Sequence, residues 1–155
     1  MNRGGVLATL RRQIEGLLAG DAAGGTEDRE AAIRLATATL MAEVARADHV
    51  LDVRELAELR RALQQQFALS DAQTQLIVDE GLKESESAVS LQGFTRPLHE
   101  ALTADEKAGI VDMLWRVAAA DGQLDKHEDA LIAKIGELLY VPRSEVLRLK
   151  HNNGL

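Results

Sequence analysis

The chain has no cysteine, which excludes disulfide frameworks, thiolate zinc sites and thiol catalysis. That composition suits a reducing compartment, and a cytoplasmic location is expected. Proline is nearly absent, with two residues, and the aromatic set is one Trp, one Tyr and two Phe. A sheet protein draws on aromatic and β-branched residues for its strands, whereas Ala and Leu dominate here, so the chain reads as all-α. No run approaches the ~20 apolar residues that span a bilayer, and Gln13 and Glu15 interrupt the stretch where a signal peptide would be unbroken. Neither export nor a transmembrane segment is expected. Basic runs interleaved with aromatics are also missing. With a net charge of -7 the chain repels phosphate backbones, so nucleic acid is not an expected partner. Cations and basic protein surfaces fit it better.

What remains is enough for one domain of ordinary size, 155 residues that can bury a single core. Residues 1–25 read as an amphipathic helix and a Gly-rich linker. Val6, Leu7, Leu10, Ile14, Leu17 and Leu18 fall at helical spacing, and Gly20-Asp21-Ala22-Ala23-Gly24-Gly25 follows. Such a helix docks on its own domain, on a partner or, peripherally, on a membrane surface. Residues 26–155 read as a helical domain, making a bundle of about seven to eight helices in all. Thr26 is an expected N-cap for a helix ending near Ala47, with Ile33, Ala36, Leu40 and Val44 in step. A helix from Asp52 carries Leu56, Leu59, Leu63 and Phe67 on one stripe. Ser70-Asp71 signals the next, to about Lys83, with Leu76 and either Ile77 or Val78 facing in. Val89 to Leu102 forms another, which Pro97 kinks or restarts. Thr103 with Glu106 is a capping-box signature for a helix through Ile110, Leu114 and Val117. Further helices run from Asp125 to about Leu139 and, opened by Pro142, from Arg143 to His151.

The chain also repeats itself. Residues 44–57 match residues 117–130 at an offset of 73, with eight of fourteen positions identical where ordinary residue usage gives about one. The likeness continues through Leu40 with Met113, Leu59 with Ile132 and Phe67 with Tyr140. Two pseudo-symmetric helix-loop-helix units are expected. Each carries the same acidic string: Asp48, Asp52 and Glu55 in the first, Asp121, Asp125 and Glu128 in the second.

Two readings of those carboxylates stand side by side. Asp52 with Glu55, and Asp125 with Glu128, have N-cap and N3 spacing, so each pair can satisfy orphan amides at a helix start. Leu51 and Leu124 then occupy the staple position. Asp48 and Asp121 follow helix C-termini, where an acid is electrostatically unfavourable. An Asx-type turn, with Gly122 in a left-handed conformation, would compensate. The other reading is ligation: all-oxygen donors suit a hard divalent cation, calcium or magnesium, held by the acidic strings. The spacing is not an EF-hand, since Val50 and Gln123 stand where that loop supplies a ligand.

The segments Glu43-Val44-Ala45-Arg46-Ala47-Asp48 and Leu114-Trp115-Arg116-Val117-Ala118-Ala119-Ala120-Asp121-Gly122-Gln123-Leu124-Asp125-Lys126-His127-Glu128 resemble the TerB tellurite-resistance family. The N-terminal domain of the DjlA co-chaperones is similar in architecture. The resemblance covers about Glu30 to His151, is closer in the second unit, and has His49 where Gly is usual. It implies an all-helical bacterial domain of the tellurite and general stress response, working through protein partners. It also implies suspected metal ligands at Asp48, Asp52, Glu55, Asp121, Asp125 and Glu128.

No nucleophile with a neighbouring base is visible, and His49, His99, His127 and His151 are scattered, each expected at the surface. Trp115 and the string Phe94-Thr95-Arg96-Pro97 read as packing residues. The expectation is therefore a non-enzymatic module that binds a divalent cation, a protein partner or both through paired acidic loops. A metal-free co-chaperone-type adaptor is the alternative, and a carboxylate-metal hydrolase a distant one.

Overall fold

The structure, a computed structural model, describes residues 25–47, 51–86 and 91–155. The helix expected over residues 5–19, the linker to Gly24, Asp48 to Val50, and the start at Val89 of the helix expected to Leu102 lie outside the described residues. Seven helices are described: α1 (Gly25–Ala45), α2 (Val53–Phe67), α3 (Asp71–Glu86), α4 (Gln92–Ala101), α5 (Ala104–Ala119), α6 (Lys126–Leu138) and α7 (Arg143–Asn152). The chain is an all-α bundle.

Helix starts follow local side-chain chemistry. The Thr103 hydroxyl accepts from Glu106 N at 3.2 Å while the Glu106 carboxylate accepts from Thr103 N at 2.9 Å, a reciprocal box that satisfies two orphan amides of α5. Ser70 and Gln73 make the same exchange at the start of α3. α1 departs from expectation at its edge, since it already includes Gly25 and Thr26 lies inside it. Pro97 does not restart α4. The helix runs unbroken from Gln92 to Ala101, where the missing donor costs only the bond to the Gly93 carbonyl.

α1 and α5 form the centre of the bundle. α1 packs most extensively on α3 and also touches α2, α5, α6 and α4; α5 packs against α2, α6 and α7. Buried side chains from all seven helices join in one cluster, among them Ala32, Leu59, Val78, Phe94, Ile110, Ile132 and Val146. Trp115 sits within it and donates from Nε1 to the Val146 carbonyl at 3.1 Å, which satisfies its one polar atom. Two expectations about facing are corrected. Leu76 is 67% exposed, because α3 turns Val78 rather than Leu76 toward α1 and α2. His99 is half-buried, its Nδ1 against Lys107 Nζ and its ring centroid 4.2 Å from that of Tyr140. His127 and His151 are exposed as expected.

Candidate acidic-turn site

The second acidic string is a tight connection between α5 and α6. α5 closes with Ala120 N donating to the Val117 carbonyl and Gly122 N to the Ala119 carbonyl. Gly122 has φ +81°, the left-handed region where a Cβ is strained, and this lets the chain leave the helix at once. Asp121 Oδ1 accepts from Gln123 N at 2.9 Å, an Asx turn that offsets the unfavourable carbonyl end beside it. Asp125 is the N-cap of α6 and Oδ1 accepts from His127 N at 2.7 Å, while Glu128 Oε1 accepts from Asp125 N at 3.2 Å. Glu128 is 1% exposed; Asp121 and Asp125 are half-buried. Leu124 packs against the core.

The first string repeats the second half of this design. Asp52 is the N-cap of α2, and its Oδ1 accepts from Arg54 N at 2.7 Å and Glu55 N at 3.4 Å. Glu55 is 2% exposed, whereas Leu51 at the staple position is 39% exposed. Asp48 and His49 lie outside the described residues.

Arg54 stands within the first acidic string. Its guanidinium folds back on Asp52, with Nη2 3.3 Å from Oδ2. Hydrogen bonding from the Arg54 side chain, then from its backbone N–H, holds the Asp52 carboxyl below the usual carboxylate range. The guanidinium is in turn held above its ordinary value, first by the Asp52 hydrogen bond and charge, and further by the charges of Asp121 and Glu55. A cation within the first acidic string therefore lies in the field of an acid of the second string. α2 packs on α5 and α6 on α1, so each helix that follows an acidic string packs on the helix leading into the other string. The signal for Arg54 was its place two residues after one acid and one before another.

The donor chemistry suits a hard cation, since every candidate ligand is a carboxylate oxygen. The geometry is less accommodating: among the described residues no three carboxylates or imidazoles converge enough to hold a metal ion, and Asp52 and Asp125 are engaged in capping. The structure thus brings Asp52, Glu55 and Asp121 into one electrostatic neighbourhood, with Arg54 among them, and leaves Asp125 and Glu128 joined in their own box. No helix among the described residues is long and apolar enough to cross a membrane.

The family model for the tellurite resistance protein TerB matches residues 34–151, which takes in both acidic strings and all but the first turns of α1. No curated protein and no solved structure matches the chain.

Proposed function

Since the chain belongs to the tellurite resistance TerB family, whose members are non-catalytic stress-response modules, we propose that its two acidic turns act together as one binding face for a divalent cation, calcium or magnesium. The observation that carries this reading is that Arg54, ion-paired with Asp52, also feels the charge of Asp121, so acids of both strings act on one group. The ligands would be Asp48, Asp52 and Glu55 from the first string with Asp121, Asp125 and Glu128 from the second. What a cation supplies there is cross-linking of the two turns and charge neutralisation. The chain's own contribution is to hold the Asp121 and Asp52 carboxylates by backbone N–H donors to one oxygen each; the second oxygen of Asp52 accepts from Arg54 Nη2, which a cation would displace.

The reading treats the chain as two pseudo-symmetric units, α1 to α3 and α5 to α7. Its support is the offset of 73: it carries the buried Leu40 onto Met113, Val44 onto Val117, Leu59 onto Ile132, and Glu55 onto Glu128. In this scheme the module works in a stress-response complex in the cytoplasm, with its cation-loaded face presented to a protein partner.

The capping geometry favours a second reading, a metal-free adaptor whose acids serve helix starts and attract a basic partner. Calorimetric titration with calcium and with magnesium separates the two. The cation reading expects binding to the native chain and its loss in Asp48→Asn with Asp121→Asn, a pair that keeps turn-forming side chains and native circular dichroism. No heat in the native chain up to millimolar metal would remove the cation reading and leave the adaptor.

A further inference from the structure

The chain holds one Asn-Gly pair, Asn153-Gly154, and it closes α7. In this dipeptide the backbone nitrogen that follows the asparagine reaches the side-chain amide carbon most easily, because glycine sets no Cβ in the way. The turn has a defined geometry. Asn153 is the C-cap residue, and Gly154, at φ +78°, takes the left-handed position after it. Gly154 N donates to the His151 carbonyl at 2.9 Å and Leu155 N to the Lys150 carbonyl at 3.3 Å, a Schellman pattern that seats Leu155 on the core.

The Asn153 side chain ties this turn to α5. Its Nδ2 donates to Asp112 Oδ1 and to the Leu149 carbonyl, each at 2.9 Å. Both partners only accept, so the position requires a nitrogen carrying two hydrogens. Asp112 Oδ2 is held in turn by Arg116 Nη2, also at 2.9 Å.

We propose that Asn153 is a deamidation site gated by this clamp, and that its conversion releases the end of α7 from α5. The Gly154 nitrogen attacks Cγ of Asn153, the Cγ–Nδ2 bond breaks, and Nδ2 leaves as ammonia with the proton given up by Gly154 N. Water then opens the cyclic imide at either carbonyl, leaving an aspartate or an isoaspartate with no change of oxidation state. In the closed turn both reacting nitrogens are engaged, Nδ2 with Asp112 and Leu149, and Gly154 N with His151. The reaction therefore runs through opening of the last turn, a local event that leaves the bundle folded. Reclosure is then opposed. An oxygen in place of Nδ2 cannot donate, so both 2.9 Å contacts become oxygen against oxygen, one of them carboxylate against carboxylate. Arg116, beside Asp112, offsets the added charge without restoring either donor. The isoaspartate route also carries the main chain through the side-chain carbons, and the extra methylene shifts the two Schellman bonds out of register.

The full-length native chain and Asp112→Ala, matched by circular dichroism, are aged in mildly alkaline buffer and followed by peptide mass mapping. Both are expected to gain aspartate and isoaspartate at Asn153, several-fold faster in Asp112→Ala. Equal rates would overturn the gating, and no conversion in either folded chain, with conversion in urea, would overturn the site. The release is tested separately by Asn153→Asp, made directly. It should lower the urea midpoint and speed trypsin cleavage at Lys150 several-fold, and a midpoint and cleavage rate equal to those of the native chain would overturn the release.

Discussion

Asp125 and Asp121 lie four residues apart in one turn yet do different work. Asp125 caps α6, so Asp125→Ala should lower stability by about 1 kcal/mol in urea denaturation. Asp121→Asn keeps an oxygen for Gln123 N, and its cost should stay within about 0.5 kcal/mol. Proton linkage adds a second residue-scale test. The Asp52 carboxyl is held below its ordinary value, so its contribution is present above that value and is lost as pH falls through the lower folded-state pKa. Glu84 has the opposite sign. Burial, reinforced by the charge of Glu80, raises its pKa above the ordinary 4.5, so its contribution is present below 4.5 and is lost as pH rises through the raised value. Glu84→Gln should therefore remove that loss, so the urea midpoint of the variant should gain on that of the native chain as pH rises from below 4.5 to neutral. A variant whose midpoint follows native pH dependence throughout would show that Glu84 does not titrate with folding.

Between elements, close packing turns on single atoms. A Cβ at Gly81 of α3 would stand 3.0 Å from the Ala38 backbone carbonyl of α1, so Gly81→Ala must push apart the most extensive helix pair of the bundle. A loss of roughly 1–3 kcal/mol is expected. Gly109, inside α5, has nothing within 4 Å of its would-be Cβ, and Gly109→Ala should raise stability by about 0.5–1 kcal/mol through chain entropy alone. Thermal melts of the two variants should thus move in opposite directions. Pro97 illustrates the same scale from the other side, since a ten-residue helix carries it without a break.

Across the whole molecule, α2 packs on α5 and α6 on α1, so the two halves share one core. Leu63→Ala, in α2, should cost ~2–5 kcal/mol by opening a cavity. The fluorescence transition of Trp115, far along the chain in α5, should shift by the same amount as helicity at 222 nm. An unmoved Trp115 transition would mean that the halves unfold independently. The proposed binding face belongs to this scale too, because it requires the turn at Asp52 and the turn at Asp121 to be near each other.

Local chemistry is legible in a sequence because its partners are close along the chain. The Thr103 and Asp125 boxes, the left-handed Gly122, the apolar stripes of α1, α2 and α5, and the offset of 73 are all relations within a few residues or between copies of one pattern. The helical class and the acidic strings followed from them, as did the family. Tertiary structure decided the rest. Which side of α3 faces inward depends on where α1 and α2 lie, and so Leu76 is outside and Val78 inside. The spacing of Glu55 and Glu128 in the acidic strings does not reveal that both are buried, which follows from the side of α2 and α6 that is turned to the core. Arg54 joins two acids separated by 69 residues only because α2 is folded onto α5, and a Coulomb interaction depends on distance in space rather than along the chain.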